Sequence, residues 1–494
     1  MLINPTFLKL NKTPLLLAVT SILFYVSLAY DLVRTDYIKL TMLYTGLFFL
    51  FYKLVQIFKN NISLLTWLAF GFRTIFILAI PNLSQDFYRF IWDGRMILEG
   101  FNPYLHTVTS FISQNEFPVA QAQELSNGMG ALNAGHFTNY PPINQLCFVI
   151  AGLFASKSIL GSVVVMRLLI IAADFGTLFY GKKLLEKLNI PTHNIFWYIL
   201  NPFIIIELTG NLHFEGVMIF FLVWSLYLLH IGKWKFAAVV FALSVSVKLI
   251  PLLFLPLFYQ WFNKQNVIST EQSDEKSHNQ NNEILKQVQH DKTKKWIPTF
   301  AGMTKLFIFY LIVLVTTALL FTPFYSSELI KNYTETTALW FNNFQFNASL
   351  YYIAKAIGYY FGDYHDVVKI GKTIPYIVVL FVLIVTFLRK NKSTIQLITA
   401  MLFALSFYYF TATTVHPWYI ATLLILSVFT KYKFPLVWSF VIILSYLSYL
   451  NIGSEGKSEN LWIIGLEYAI VYSVFIWDVF IKKPQLKTNS QFYK

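Results

Sequence analysis

Residues 14–30, PLLLAVTSILFYVSLAY, are followed by IKLTMLYTGLFFLFYKLVQI at 38–57 and by a third apolar run at 62–80. Each approaches the roughly 20 apolar residues that a helix needs to cross a bilayer core of about 30 Å. Further runs lie near 160–181, 194–208, 216–231, 235–247, 248–260, 306–323, 371–388, 394–411, 416–430, 435–450 and 462–481. The stretch 141–156 reads as either a short span or a re-entrant helix. The fold class that follows is all-α, a polytopic transmembrane helical bundle of about 12–14 spans.

Composition points the same way. The 494 residues are 56% hydrophobic and 13% charged, against about 25% charged residues in an ordinary soluble domain. Lipid must be the solvent for much of this surface. The net charge of +14 does not make a nucleic-acid face, because most lysines sit in short loops between apolar runs. That is the orientation signal of membrane proteins. The single cysteine, Cys147, excludes an internal disulfide and any multi-cysteine metal site. Lys9 and Lys12 ahead of the apolar stretch from Leu15 resemble a signal sequence. No small-residue cleavage site follows, so the stretch reads as an uncleaved first helix.

Lysine and arginine positions predict both termini inside. Lys53, Lys59, Lys182, Lys183, Lys187, Lys233, Lys235, Arg389, Lys390, Lys392, Lys431, Lys433, Lys482 and Lys483 then collect on the cytoplasmic side. The segment 81–140 has no lysine and five acids, and it falls outside with 209–215, 324–366, 411–415 and 451–461. The chain divides into N-terminal transmembrane helices (1–80), a first large extracytoplasmic loop (81–140) and a transmembrane core (141–261). A polar cytoplasmic insert (262–304) and a C-terminal transmembrane region (305–494) with an outer loop at 324–366 complete it. The insert is Gln- and Asn-rich and reads as a disordered linker. Its tail, QVQHDKTKKWIPTFAGMT at 287–304, looks like a translated genomic repeat, which points to a bacterial source and hence to an inner-membrane protein. No site is expected there.

Five clusters carry chemistry. In SQDFYRFIWDGRMILEGFNPY, 84–104, a helix over 86–98 would put Asp86, Arg89 and Asp93 on one face, with Tyr88, Trp92 and Arg95 beside it. Gly100 would end the helix and Asn102-Pro103 would turn the chain. The plain alternative is an Arg89–Asp93 pair on a solvated surface. In NPFIIIELTGNLHFEG, 201–216, Glu207 stands at the outer end of a helix kinked at Asn201-Pro202, with Asn211, His213 and Glu215 in the turn. That cluster reads either as a site or as routine capping. Lys248, in SVKLIPLLFLP at 246–256, either snorkels or meets the phosphate of a lipid carrier. LWFNNFQFNASLYY, 339–352, offers stacking faces and amides, as sugar binding or an interfacial belt would. TVHPWY, 414–419, places His416 and Trp418 at the outer start of a span, where His416 either contacts a phosphate or caps the helix. All five fall on one side of the membrane under a topology drawn from unrelated lysines.

At these residues, together with NYPPINQ at 139–145, the sequence resembles the GT-C superfamily of multispanning glycosyltransferases. It is most similar to bacterial polyprenol-phosphate-mannose-dependent mannosyltransferases and more distantly to the mannosyltransferase of GPI-anchor assembly. The motifs recur in family order over residues 80–420. The resemblance implies a catalytic acid in the first large outer loop, matched here by Asp86. Where many relatives show two adjacent acids, this chain has Gln85 before Asp86 and its next acid at Asp93. Three spans precede the loop where the family ordinarily has one.

The resemblance further implies inverting transfer of a hexose, mannose by preference, from a polyprenyl-phosphate sugar to an extracytoplasmic glycan or glycolipid acceptor, within membrane lipids. Asp86 is expected as general base, and Arg89, Arg95, Lys248 and His416 on the donor phosphate. Asp93, Tyr140, Glu207, Asn211, His213 and Asn347 are expected on the sugar or acceptor. No cofactor is assigned, and a divalent cation, Mg or Mn, is left open. The rival class is a multispanning transporter or lipid-linked sugar flippase, which would show inverted repeats and midplane helix breaks. No internal repeat is visible.

Overall fold

The computed structural model describes residues 12–263, 300–342, 344–362, 364–450 and 459–482. Of the expected insert at 262–304, residues 264–299 lie outside the described residues, and 300–304 belong to a helix. Among the described residues the secondary structure is helical throughout, apart from one isolated bridge between Phe346 and Thr414.

Three helices precede the loop 81–140: α1 (Lys12–Tyr30), α2 (Tyr37–Phe58) and α3 (Ile62–Thr74). The loop itself folds into α4 (Asp86–Leu98) and α5 (Ala122–Ala134). Next come α6 (Pro142–Ala155) and the long α7 (Ile159–Lys187). After a broken passage through residues 192–210 the chain enters α8 (Glu215–His230) and α9 (Trp234–Val245). The second half holds α10 (Phe300–Phe321), α11 (Ser327–Asn342), α12 (Leu350–Phe361) and α13 (Tyr364–Leu388). It ends with α14 (Thr394–Thr411), α15 (Ile420–Val428), α16 (Phe434–Val441) and α17 (Leu461–Ile476).

Seven helices among the described residues are long and apolar enough to cross a membrane, or eight if the bent pair Pro202–Gly210 and Glu215–His230 counts as one span. Four shorter apolar helices accompany them: Pro142–Ala155, Trp234–Val245, Pro417–Val428 and Phe434–Leu447. The protein is thus an all-α, multi-pass membrane bundle. The span number among the described residues is lower than the expected 12–14, because several expected runs are short or broken: 194–208 is split into short helical pieces, and 235–247, 416–430 and 435–450 give only shorter apolar helices. The run 248–260 is not an α-helical span, because Pro251 and Pro256 turn Ile250–Leu257 into a 3₁₀ segment. The run 62–80 is helical for only 13 residues before it breaks into turns.

Two buried arginines hold the broken passage together. At the 116° bend after Gly210, the helix-terminal carbonyls lose their partners in the chain. Arg167 on α7 supplies donors to Thr209 O at 2.8 Å and Gly210 O at 3.0 Å, and reaches Ile77 O at 2.9 Å. Arg73 on α3 pairs with Asp174 on α7 at 2.8 Å and donates to Ile199 O at 2.7 Å. Both members of that pair are fully buried. Neither arginine was singled out in the sequence. Each sits where a charge in a span must face protein partners rather than lipid.

Candidate functional site: a cavity with two acids, two cations and an aromatic shelf

The helix expected over 86–98 forms with those bounds. Its end follows the glycine logic: Gly100 takes φ +85°, with Phe101 N bonded to Met96 O at 2.9 Å and Gly100 N to Ile97 O at 3.1 Å. That is a Schellman close. Nine of its residues are buried, Arg89 and Asp93 among them, so their ion pair, 2.8 Å apart, is not solvated.

Arg89 is fully engaged by protein. Besides Asp93, its guanidinium donates to Asn133 O at 2.7 Å and His136 O at 3.0 Å. Gln145 donates to the other Asp93 oxygen at 3.1 Å. Arg95 turns to Ala120 O at 2.7 Å and the Gln121 side chain at 3.2 Å. These residues clamp α4 to the rest of the loop 81–140 and to α6.

Asp86, at the start of α4, faces elsewhere. It lines a cavity of about 670 Å³ together with Tyr140, Lys248 and His416. Its carboxylate accepts from Asn133 Nδ2 at 3.2 Å. The side chain is half-buried and enclosed by the cavity walls. Burial raises its pKa above the ordinary 3.8, opposed by the charge of Lys248 and the Asn133 bond, and assisted by Glu215.

Lys248 sits in the non-helical turn between α9 and the 3₁₀ segment. Its ammonium lies 3.0 Å from Glu215 and 5.3 Å from the Tyr140 ring centroid. The other permanently charged cation on the cavity is Arg34, from the loop between α1 and α2, lying 5.9 Å over the Tyr446 ring. Arg34 and Glu215 complete a polar wall that the sequence reading did not assemble. Arg34 carries no local motif, and Glu215 reads equally well as a helix-start acid.

Glu207, Asn211 and His213 form a buried cluster beneath this wall rather than on it. The Tyr446 hydroxyl donates to both Glu207 oxygens at 2.8 and 3.0 Å. Asn211 Nδ2 is 3.5 Å and His213 Nε2 3.9 Å from the same carboxylate. His213 stacks on Trp418 at 3.6 Å, and Trp418 stacks on His416 at 4.6 Å with planes 3° apart. Phe346 extends the stack, 5.1 Å from His416. The bridge that joins Phe346 to Thr414 brings the two aromatic clusters together: Phe346 N bonds Thr413 O at 3.1 Å and Val415 N bonds Phe346 O at 2.9 Å. Burial and the nearby Lys248 and Arg34 charges push the His416 imidazole down to about 3, so it stands neutral. Asn347 is drawn away, donating to Glu467 at 3.2 Å.

The cavity is two-sided. Asp86, Glu215, Lys248 and Arg34 face one part, and Leu249, Leu253, Pro375, Val378 and Val379 line another. Among the described residues, no group of three or more His, Cys, Asp or Glu side chains is arranged to hold a metal ion.

In this membrane-helix bundle two acids, two cations and stacked rings face one cavity, and the comparison with known families gives its class, a GT-C-type membrane glycosyltransferase. Residues 23–263 match the MptA_B family model, described as alpha-(1->6)-mannopyranosyltransferase, N-terminal domain, and the enzyme is a mannosyltransferase. The matched stretch carries Arg34, Asp86, Tyr140, Glu215 and Lys248, whereas His416 and Trp418 lie beyond it. No curated protein matches the sequence.

Proposed function

We propose that the enzyme moves mannose from a polyprenyl-phosphate carrier to a hydroxyl of an extracytoplasmic glycan or glycolipid, with inversion. The observation that carries this reading is the placement of Asp86 and Lys248 on one cavity that also has an apolar wall. An amphiphilic donor needs both. The acceptor oxygen attacks the anomeric carbon as its proton passes to the Asp86 carboxylate. The bond from that carbon to the phosphate oxygen breaks, and polyprenyl phosphate leaves as its anion. Direct attack turns a β-linked donor into an α-linked product, in keeping with the linkage in the family's description.

Lys248 and Arg34 take the phosphate in this scheme. Arg89 and Arg95, expected there, serve instead to hold α4, and neutral His416 offers a stacking face and one N–H. Glu207, Asn211, His213 and Asp93 support the wall from behind, and Tyr140 borders the sugar. The N-in, C-in topology of an inner-membrane protein puts the cavity on the extracytoplasmic side.

The broken span at 202–230 is a feature that transporters share. Membranes incubated with radiolabelled polyprenyl-phosphate mannose separate the two classes. The transferase releases free lipid phosphate and labels the acceptor, whereas a transporter moves label into sealed vesicles with the bond intact. Asp86→Asn is expected to lower transfer by about 10²–10⁴-fold, the contribution of a positioned base. A wild-type rate in that variant overturns the assignment.

A further inference from the structure

Glu215 and Lys248 occupy each other in the structure, and the reaction needs both for other work. Glu215 is 4% exposed. Lys248 covers its Oε1 at 3.0 Å, while Oε2 is buried and finds no hydrogen-bond donor among the described residues. A buried carboxylate oxygen without a donor is costly and marks a place where a partner is missing. Lys248 itself is about a quarter exposed, on a flexible four-carbon stem held in a turn rather than in a helix. It can leave Glu215 without unfolding anything. A phosphate diester arriving in the cavity competes for that ammonium.

We propose that Glu215 is an acceptor-binding residue masked by Lys248, and that the donor's phosphate unmasks it by drawing Lys248 away. The freed carboxylate then accepts a hydrogen bond from an acceptor hydroxyl on the same wall as Asp86. Binding is thereby ordered, donor before acceptor, which keeps Asp86 from meeting an acceptor when no sugar is present to transfer. Because a coupling between two ligands is reciprocal, acceptor must also tighten donor. This rests on the functional reading above and goes further in naming the residue and the order.

The test uses the full chain in detergent, with a short-chain polyprenyl phosphate as phosphate probe and an α-(1→6)-linked mannobioside as acceptor probe, binding being read by calorimetry. In the wild type the lipid phosphate is expected to tighten mannobioside binding by about 10-fold, within the usual range of such couplings. Glu215→Gln should reduce that coupling to under about two-fold while binding the lipid phosphate no more weakly than wild type. Lys248→Met should weaken the lipid phosphate yet bind mannobioside, alone, at least as tightly as wild type. A merely structural ion pair predicts something else: both variants lose stability and the coupling survives.

Coupling that persists in Glu215→Gln, or independent binding of the two probes in the wild type, overturns the role of Glu215 and leaves the functional reading standing. If neither probe binds the wild type, the functional reading falls and this inference with it. Thermal unfolding of each variant checks that the compared proteins are folded.

Discussion

A carboxylate that must act as a base has to be ionised, and the surroundings of Asp86 work against that. Burial raises its pKa, Lys248 and Arg34 pull it down, and Glu215 pushes it up. The acid limb of the pH–rate profile is therefore expected above the ordinary aspartate value of 3.8. Removing a cation should move the limb to higher pH in Lys248→Met. Removing an anion should move it to lower pH in Glu215→Gln. Steady-state rates across pH check both signs, and equal or reversed shifts would show that the limb reports some other group. The sign for stability is opposite to the usual carboxylate case. A folded pKa above the unfolded one means that the ionised side chain costs stability once pH rises through the folded value. Asp86→Asn removes that cost. The variant is expected to unfold at the same or a higher temperature than wild type at pH 7, so lost activity cannot be laid to lost folding.

Helix α4 shows what was legible at the level of elements and what was not. Its bounds and its glycine stop followed from spacing, whereas Asp86, expected on one face with Arg89 and Asp93, turns to the cavity and leaves those two to pair. Spacing does not say which of three side chains on a face meets a cavity and which meets carbonyls. That depends on α5 and α6, which lie far along the chain. Gly94 fixes one of those contacts. A Cβ there would stand 2.3 Å from Phe148 O, on α6 backbone that cannot yield, so Gly94→Ala should push α4 off α6. Overpacking of this kind costs about 1–3 kcal/mol. Breaking the Arg89–Asp93 pair by Arg89→Met strands a buried carboxylate and should cost about 3–5 kcal/mol. Thermal unfolding in detergent should rank wild type above Gly94→Ala and Gly94→Ala above Arg89→Met. An Arg89→Met protein as stable as wild type would mean that the residue faces solvent. The run 248–260 shows the converse failure. Its apolarity matched a span, but two prolines overrode hydropathy and left Lys248 in a turn at the cavity.

Across the whole molecule, the fold class was legible because hydropathy is a local property summed over about 20 residues. The assembly of the cavity was less so, since it draws on Arg34, Asp86, Lys248 and His416, more than three hundred residues of chain. The lysine-based topology nevertheless expects Asp86, Lys248 and His416 on one side. The structure offers a direct way to check that side. Cys147 is the single cysteine and is buried, so a membrane-impermeant maleimide has no native target on the intact protein. Cysteines introduced one at a time at exposed positions then report sidedness. Asn115 and Glu328 stand in the loops assigned outside, and Lys431 and Lys59 in the turns assigned inside; all four are exposed. Labelling of intact spheroplasts is expected at the first two, with the second two reacting only after the membrane is opened. The reverse pattern would put the cavity with Asp86 on the cytosolic face, where a lipid-phosphate donor could not meet an extracytoplasmic acceptor. Labelling at all four before opening would mean leaky membranes, which an impermeant dye trapped inside detects in the same sample.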